Sequence, residues 1–248
     1  MWRIRQKMKK PPLVIVHGID GCANETLAFV RPYLGGKYEL VAYDLLGRGK
    51  GLGEDRGDHS LDAYVRQLAR VAAGVRGPFF LLGFSMGGAI AAAYAMRFPA
   101  RVRKMCLVCP AGRATSVGAA STYAPYWAWR LAFPALAASK VEYSIGGASR
   151  RLDGLLASKK ELYRDERFMR MMYETLRQFP LHDMPLRRVE VSSLVLAGDS
   201  DDIIPRDGVA EFAREIGARV KWYAANHALP LKKPGLVTTA IDKFFSAP

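Results

Sequence analysis

Residues 78–96 read PFFLLGFSMGGAIAAAYAM, an apolar run followed by a Gly-Phe-Ser-Met-Gly-Gly turn and a run of helix formers. The apolar run predicts a buried strand, and the alanine-rich run predicts a helix. A Gly-x-Ser-x-Gly sequence between a strand and a helix is typical of a nucleophile elbow, in which the serine occupies a strained turn. We therefore predict that this turn raises the Ser85 hydroxyl above the sheet and leaves the Met86 amide at the N-terminus of a helix.

Segments with strand and helix character alternate on both sides of this turn. Short apolar runs predict buried strands at 13–16, 38–43, 78–82, 102–108, 191–197 and 219–224. Amphipathic stretches predict helices at 24–34, 61–72, 86–98, 209–216 and 234–245, with Ser60 as the N-cap of the second. This alternation predicts an α/β fold, with a mostly parallel sheet flanked by helices.

Residues 112–188 interrupt the alternation with helical periodicity and without strand signals. We predict a mostly helical cap here, inserted into a core formed by residues 1–111 and 189–248. An aromatic cluster in this cap has two interpretations: its helical spacing favours a small core of the cap, and the alternative is a wall of a substrate pocket. The cluster contains Tyr123, Tyr126, Trp127, Trp129 and Phe133, of which Tyr123, Trp127 and Trp129 are the candidate pocket residues.

The composition fits one α/β domain with an insertion. The chain has 248 residues, of which 50% are hydrophobic, so a sizeable core can form without disulfides. The three cysteines do not form a paired framework, and a reducing compartment is favoured. Cys106 and Cys109 lie in or just after a predicted strand, which favours small buried hydrophobic residues over metal ligands. We predict no metal site.

The chain has a net charge of +14, and no motif in the sequence identifies a binding partner that this charge would attract. The basic residues are dispersed and no nucleic-acid module is recognisable, so a basic solvated surface is favoured over specific nucleic-acid binding. Peripheral attraction to an anionic membrane surface stays open. The basic N-terminus lacks the apolar core of a secretory signal, which favours an intracellular, cytoplasmic location, with an organellar (mitochondrial) one as the alternative.

A serine hydroxyl needs a base within hydrogen-bond reach, and that base needs a carboxylate to orient it. Two loops that follow predicted strands supply candidates. The loop at 198–205 carries Asp199, Asp201 and Asp202, and the loop at 226–230 carries His227. Because open α/β sheets place their sites at the carboxyl ends of the strands, we expect these loops to converge on Ser85.

Four local motifs in the correct order resemble the α/β-hydrolase fold family. They are His17-Gly18, Asp44-Leu45-Leu46-Gly47-Arg48-Gly49, the elbow at 83–88, and the pair Gly198-x-x-Asp201-x-Ile203-Ile204-Pro205 and His227 with Pro234. The chain looks most like the serine-hydrolase branch, with its carboxylesterases and monoacylglycerol-lipase-like members. One departure is the small number of residues before Leu13, which leaves room for one edge strand at Trp2–Arg5 and implies a shortened sheet edge.

The resemblance implies a role for each motif residue. Ser85 would be the nucleophile, His227 the base and Asp201 the orienting acid, with Asp199 and Asp202 as alternatives for the last role. The backbone amides of Ile19 and Met86 would form an oxyanion hole, and no cofactor would be needed.

Other polar residues have structural interpretations. We predict that His17 supports the oxyanion loop, that Asp44 bonds amides of its own loop, and that His59 and His182 are solvated or capping. The glycines of 47–57 shape a loop, since the lysine–serine/threonine ending of a phosphate-binding loop is missing.

The function expected from the resemblance is hydrolysis of a carboxylic ester, with a small or lipid-like acyl group, through an acyl-enzyme. Thioesterases, lactonases and carbon–carbon bond hydrolases share the same residues and stay as alternatives, as does acyl transfer to an acceptor other than water. Branches with an aspartate nucleophile are disfavoured because position 85 is serine. A different class, a binding or scaffolding protein in a larger assembly, is favoured by the charge and disfavoured by the intact triad. Acyl-chain length and oligomeric state stay open.

Overall fold

The structure, a computed structural model, describes residues 10–54, 57–111, 124–146, 149–179 and 184–248. Six strands in this part of the chain form one sheet in the order β2-β1-β3-β4-β5-β6, and every neighbouring pair is parallel. The strands are β1 (Pro12–Val16), β2 (Glu39–Ala42), β3 (Phe79–Phe84), β4 (Val102–Val108), β5 (Ser193–Gly198) and β6 (Arg219–Tyr223). The predicted parallel sheet is confirmed, and the expected edge strand at Trp2–Arg5 lies outside the described residues.

Helices connect successive strands as the alternation predicted. The core helices are α1 (Ala23–Leu34), α2 (Leu61–Ala73), α3 (Met86–Arg97), α7 (Arg206–Ile216), the short α8 (Leu229–Lys232) and α9 (Pro234–Ser246). Ser60 caps α2 as predicted, since its hydroxyl oxygen accepts the amide N–H of Ala63 at 3.2 Å. The described helices include none that is both long and apolar enough to cross a membrane.

The central strands are buried on both faces, which explains their continuous apolar sequences. Along β1, Val14 and Val16 pack on the side of α2, α3 and α7, and Leu13 and Ile15 pack on the side of α1 and α9. All four side chains are at most 1% exposed. Burying one such side chain contributes roughly 1.5–3 kcal/mol to folding. Because each central strand buries side chains on both faces, it packs against the helices on both sides of the sheet.

Between β4 and β5, where the cap was predicted, the described residues form three helices. They are α4 (Tyr126–Ile145), α5 (Arg150–Leu162) and α6 (Glu166–Gln178). Trp129 stacks on Phe133 with ring centroids 4.2 Å apart, and Tyr126 meets Tyr173 edge-on at 5.2 Å. Trp129 and Phe133 are buried and continuous with the core of the sheet, so the interpretation of the cluster as packing is confirmed for Trp129, whereas Phe133 both packs there and lines a cavity. The boundaries at 112 and 188 stay predictions.

The sheet order reverses direction at β1, because β2 lies on one side of it and β3 on the other. Parallel sheets open a crevice at such a switch point, beyond the carboxyl ends of the strands. Here β1 leads into His17-Gly18 and β3 leads into Ser85. The topology therefore brings these two motifs together.

Candidate active site

Ser85 occupies a strained turn between β3 and α3. Its backbone has φ 49° and ψ −120°, a region that non-glycine residues rarely adopt. Neighbouring glycines let the chain pass close by, since a Cβ at Gly83 would collide with the Gly87 carbonyl, and one at Gly87 would collide with the carbonyl oxygens of Val16 and His17. The predicted elbow is confirmed as a conformation, and these close backbone contacts hold it in place.

A continuous hydrogen-bonded chain joins Ser85, His227 and Asp201. Ser85 Oγ lies 3.1 Å from His227 Nε2, and His227 Nδ1 lies 2.8 Å from Asp201 Oδ2. The other oxygen of Asp201 accepts the amide N–H groups of Ile203 and Ile204, at 2.9 and 2.8 Å. A carboxylate can only accept, so His227 carries its proton on Nδ1 and presents Nε2 as an acceptor to the serine hydroxyl.

The electrostatics around His227 favour its protonated form. Burial alone would lower its pKa, but the hydrogen bond and charge of Asp201, with the charges of Asp20 and Asp202, outweigh burial and raise the pKa above the ordinary 6.5. An imidazole of raised pKa accepts a proton more readily, which is the property a general base needs.

The two competing acids of the 198–205 loop lie elsewhere. Asp199 is exposed and accepts the Ser200 hydroxyl at 3.1 Å. Asp202 faces the cap, where its carboxylate lies 3.7 Å from Lys140 Nζ. Of the three acids, the structure brings Asp201 into contact with His227.

His17 supports the loop that follows β1. Its Nδ1–H donates to the Gly18 carbonyl at 2.7 Å, and its Nε2 accepts the Leu45 amide at 3.0 Å. Burial lowers the pKa of His17 to about 4, so the ring is neutral at physiological pH. Asp44 accepts the amides of Ala23 and Lys50, at 2.7 and 2.9 Å, and so joins its loop to the start of α1. Both contacts fit the structural roles predicted for these residues.

A cavity of about 800 Å³ lies above Ser85 and His227, between the sheet and the cap. Ile19 and Met86, whose amides were predicted to form the oxyanion hole, both line it. Its walls are mainly apolar, and one face of α4 supplies part of them through Phe133, Ala137, Val141 and Ser144. The sequence interpretation missed this face, although its three- and four-residue spacing is the signal of a helix face turned towards one surface.

The pocket assignment of the aromatic cluster is corrected by these contacts. Trp127 is 69% exposed, on the outer side of α4, and Trp129 is buried against Phe133 and Tyr173. Neither tryptophan is among the described residues that line the cavity. The helical twist points Trp127 away from the face that Phe133 shares with the cavity. Trp129 lies on the Phe133 side one turn earlier and packs against Tyr173 of α6 instead of lining the cavity. Tyr123 lies outside the described residues.

His59 also differs from its predicted role. It is 1% exposed, its Nδ1 lies 2.9 Å from the Tyr64 hydroxyl, and its amide donates to Gln178 at 2.8 Å. The expectation of a solvated or capping residue was wrong because α6 covers this position. The position of α6 against the core could not be predicted from the sequence. His182 lies outside the described residues.

The two strand cysteines are buried, as predicted, with exposures of 0% for Cys106 and 2% for Cys109. Cys109, Asp201 and His227 place one potential ligand atom each within 4.8 Å of the others. This grouping is explained without a metal, because Asp201 and His227 are bonded to each other and burial raises the pKa of the Cys109 thiol. That neither metal nor cofactor is required stays a prediction.

Known proteins resemble this chain in sequence and in fold. The family model described as serine aminopeptidase, S33 (Hydrolase_4), matches residues 8–229. The chain belongs to this family of α/β-hydrolases. Among solved structures, this hydrolase superposes with a TM-score of 0.77 on 2-hydroxy-6-oxo-6-phenylhexa-2,4-dienoate hydrolase from Rhodococcus sp. strain RHA1, at 20% identity, covering 96% of this chain and 91% of that one. The esterase EaEST from Exiguobacterium antarcticum gives a TM-score of 0.77 at 20% identity, with 96% and 93% covered.

Curated relatives match part of this α/β-hydrolase. Monoacylglycerol lipase ABHD6 of Homo sapiens is 33% identical over 106 residues, which are 42% of this chain and 31% of that protein. Lipase 1 of Psychrobacter immobilis is 34% identical over 103 residues, 41% of this chain and 32% of that protein. The matched stretches therefore span about a third of the length of these relatives. The expected fold family is confirmed, with its parallel sheet and flanking helices.

Proposed function

We propose that this protein is a serine hydrolase that cleaves a carboxylic ester through an acyl-enzyme intermediate. The observation that carries the proposal is the hydrogen-bonded chain from Asp201 through His227 to Ser85, open to the cavity. A serine hydroxyl is a poor nucleophile by itself, and a neutral imidazole 3.1 Å away is positioned to remove its proton.

The reaction follows from these positions. Ser85 Oγ attacks the ester carbonyl carbon while its proton passes to His227 Nε2, and the carbonyl oxygen becomes an oxyanion. Asp201 stabilises the imidazolium that forms and keeps its tautomer. The amides of Ile19 and Met86 donate to the oxyanion, and such a donor contributes about 3 kcal/mol to transition-state stabilisation.

Collapse of this intermediate breaks the bond between the carbonyl carbon and the alcohol oxygen. The proton on His227 passes to the departing oxygen, so the alcohol leaves neutral and Ser85 is left acylated. Water then enters, gives its proton to His227, and attacks the acyl carbon. Breakage of the acyl–Oγ bond releases the carboxylic acid and returns the proton to Ser85.

The cavity supports an apolar acyl group as the substrate part that it accepts. The wall contributed by α4 and α5 is mostly aliphatic or aromatic, including Phe133, Val141 and Leu152. A volume of about 800 Å³ is within the range of small-molecule sites. The similarity to a monoacylglycerol lipase and to bacterial lipases favours a lipid-like ester in this cavity.

The test combines covalent labelling with turnover. Purified protein is treated with a fluorophosphonate and assayed on p-nitrophenyl esters from acetate to palmitate. We expect labelling of Ser85, release of the carboxylic acid, and loss of both in Ser85→Ala. Ser246→Ala, at the exposed end of α9, is the matched serine control and should behave as wild type. Folded protein that neither labels nor hydrolyses any of these esters would contradict the proposal and favour a binding role.

A further inference from the structure

In the loop after β1, three consecutive residues each have a backbone carbonyl oxygen that accepts a hydrogen bond from a side chain. His17 donates to the Gly18 oxygen, Arg48 Nε donates to the Ile19 oxygen at 2.6 Å, and Lys159 Nζ donates to the Asp20 oxygen. Arg48 and Lys159 come from distant parts of the chain, the loop after β2 and the cap helix α5. Two cations from different elements therefore converge on two adjacent peptide groups of this loop.

Arg48 is the more unusual of the two cations because it is only 1% exposed. Besides Ile19, its guanidinium donates to the Leu46 carbonyl at 2.7 Å, to the Tyr64 hydroxyl at 2.6 Å and to the Thr175 hydroxyl at 3.1 Å. All of these acceptors are neutral carbonyl or hydroxyl oxygens, and the described residues show no carboxylate bonded to Arg48. Burying a charge is costly, so an arginine held by neutral groups points to a function for the contacts that it makes.

Lys159 holds the same loop at the Asp20 oxygen and is 5% exposed. Its ammonium also forms an ion pair with Glu25 at 2.7 Å, at the start of α1. One helical turn further along the cap, Tyr163 donates its hydroxyl to the Asp20 carboxylate at 2.6 Å. The cap therefore binds both the backbone and the side chain of Asp20.

These contacts determine where the Ile19 amide points. A peptide group is planar, so a held carbonyl also fixes the N–H on its opposite side. His17 holds the peptide group that carries the Ile19 N–H, and Arg48 holds the next one. With both groups fixed, the backbone on each side of Ile19 is defined. Lys159 fixes the third group and so restricts rotation of the loop as a whole.

We propose that Arg48 and Lys159 are positioning residues, which hold the loop so that the Ile19 amide can bind the oxyanion. The inference rests on the proposed ester hydrolysis. It adds that the oxyanion hole is completed by the cap, because α5 supplies Lys159 and α6 supplies Thr175 to Arg48. Correct docking of the cap is then a condition for catalysis as well as for substrate binding.

The experiment compares Arg48→Met, Arg48→Lys and Lys159→Met with wild type on an ester and on its thionoester, in which sulfur replaces the carbonyl oxygen. Sulfur accepts hydrogen bonds weakly, so the ester-to-thionoester ratio of kcat/KM reports on the oxyanion hole. The matched controls are Arg66→Met and Lys160→Met, exposed cations paired with Asp58 and Glu142. Thermal unfolding identifies the variants that fold.

We expect Arg48→Met and Lys159→Met to lose about 10- to 100-fold in kcat, with KM changed less than about threefold and the ester preference reduced by a similar factor. Arg48→Lys keeps a donor and should recover part of the loss. The proposal is overturned if folded variants keep the wild-type ester preference, whether kcat is retained or lost, or if the controls lose it equally. Wild-type protein without ester turnover would instead overturn the proposed function, and this inference with it.

Discussion

Asp201 Oδ2 lies 2.8 Å from His227 Nδ1, and the Asp201 side chain is fully buried. A buried carboxylate needs hydrogen-bond partners for both oxygens. The second oxygen, Oδ1, accepts the amide N–H groups of Ile203 and Ile204. The turn that carries Asp201 therefore aims the carboxylate and restricts its rotation. The imidazole is held in the tautomer that leaves Nε2 facing Ser85.

The first prediction follows from this tautomer. In Asp201→Asn an amide replaces the carboxylate, so the proton on Nδ1 is no longer required and the imidazolium is less stable. We expect kcat on p-nitrophenyl esters to fall by about three to four orders of magnitude with little change in KM. The control is Asp199→Asn, at the exposed neighbour, which should keep wild-type kcat. Equal losses in the two variants would contradict the role of Asp201.

The second prediction concerns the pH dependence of activity. His227 acts as a base when neutral, and its pKa is raised, so kcat/KM should fall as the pH drops through a value above 6.5. The acids that favour its protonated form are Asp201, Asp20 and Asp202. Asp202→Asn removes one of these negative charges, which lowers the pKa of His227. We expect the acidic limb of the kcat/KM profile to move to lower pH, while Asp199→Asn leaves it unchanged. A limb that stays in place in Asp202→Asn would contradict this account.

The third prediction concerns acid stability and His17. Its pKa is about 4 in the folded protein and ordinarily 6.5, so the unfolded chain binds a proton first as the pH falls. Stability is therefore lost as the pH drops from 6.5 towards 4, by about 3 kcal/mol for this group. We expect His17→Asn to be less stable than wild type at pH 7 but to lose less stability between pH 7 and pH 4. Urea unfolding at both pH values measures the difference, and equal losses in the two proteins would contradict it.

The fourth prediction concerns the acyl group. If the acyl chain lies along the apolar wall of the cavity, each added methylene contributes about 0.8 kcal/mol, which raises kcat/KM about fourfold until the cavity is filled. Val141→Trp places a larger side chain in that wall and should shift the preference towards shorter esters, with acetate turnover largely unchanged. Trp127→Ala removes an exposed side chain of the same helix and should keep the wild-type preference. The preference is measured with the p-nitrophenyl series, and an unchanged profile in Val141→Trp would place the acyl group elsewhere.

Much of the fold could be predicted because strands, tight turns and helix ends each depend on a few neighbouring residues. The strands of a parallel sheet covered on both faces are continuous apolar runs, so β1, β3 and β4 were recognisable from a few residues each. The Ser85 turn was recognisable because close backbone contacts require its glycines: the start of α3 approaches Gly83, and the end of β1 approaches Gly87. The N-terminal end of α2 was predicted correctly because the Ser60 side chain accepts a hydrogen bond from an amide only three residues away.

The sequence by itself determined the chain order of Ser85, Asp201 and His227, the elbow and the alternation that builds the sheet. Tertiary structure decided which of three nearby acids meets His227, because a shift of one residue within a turn reverses the direction of a side chain. It also decided which cap residues line the cavity, and that Arg48 and Lys159 meet at the loop after β1. These contacts join residues far apart in the chain, and they depend on how the cap helices dock, which the periodicity of a single helix does not specify.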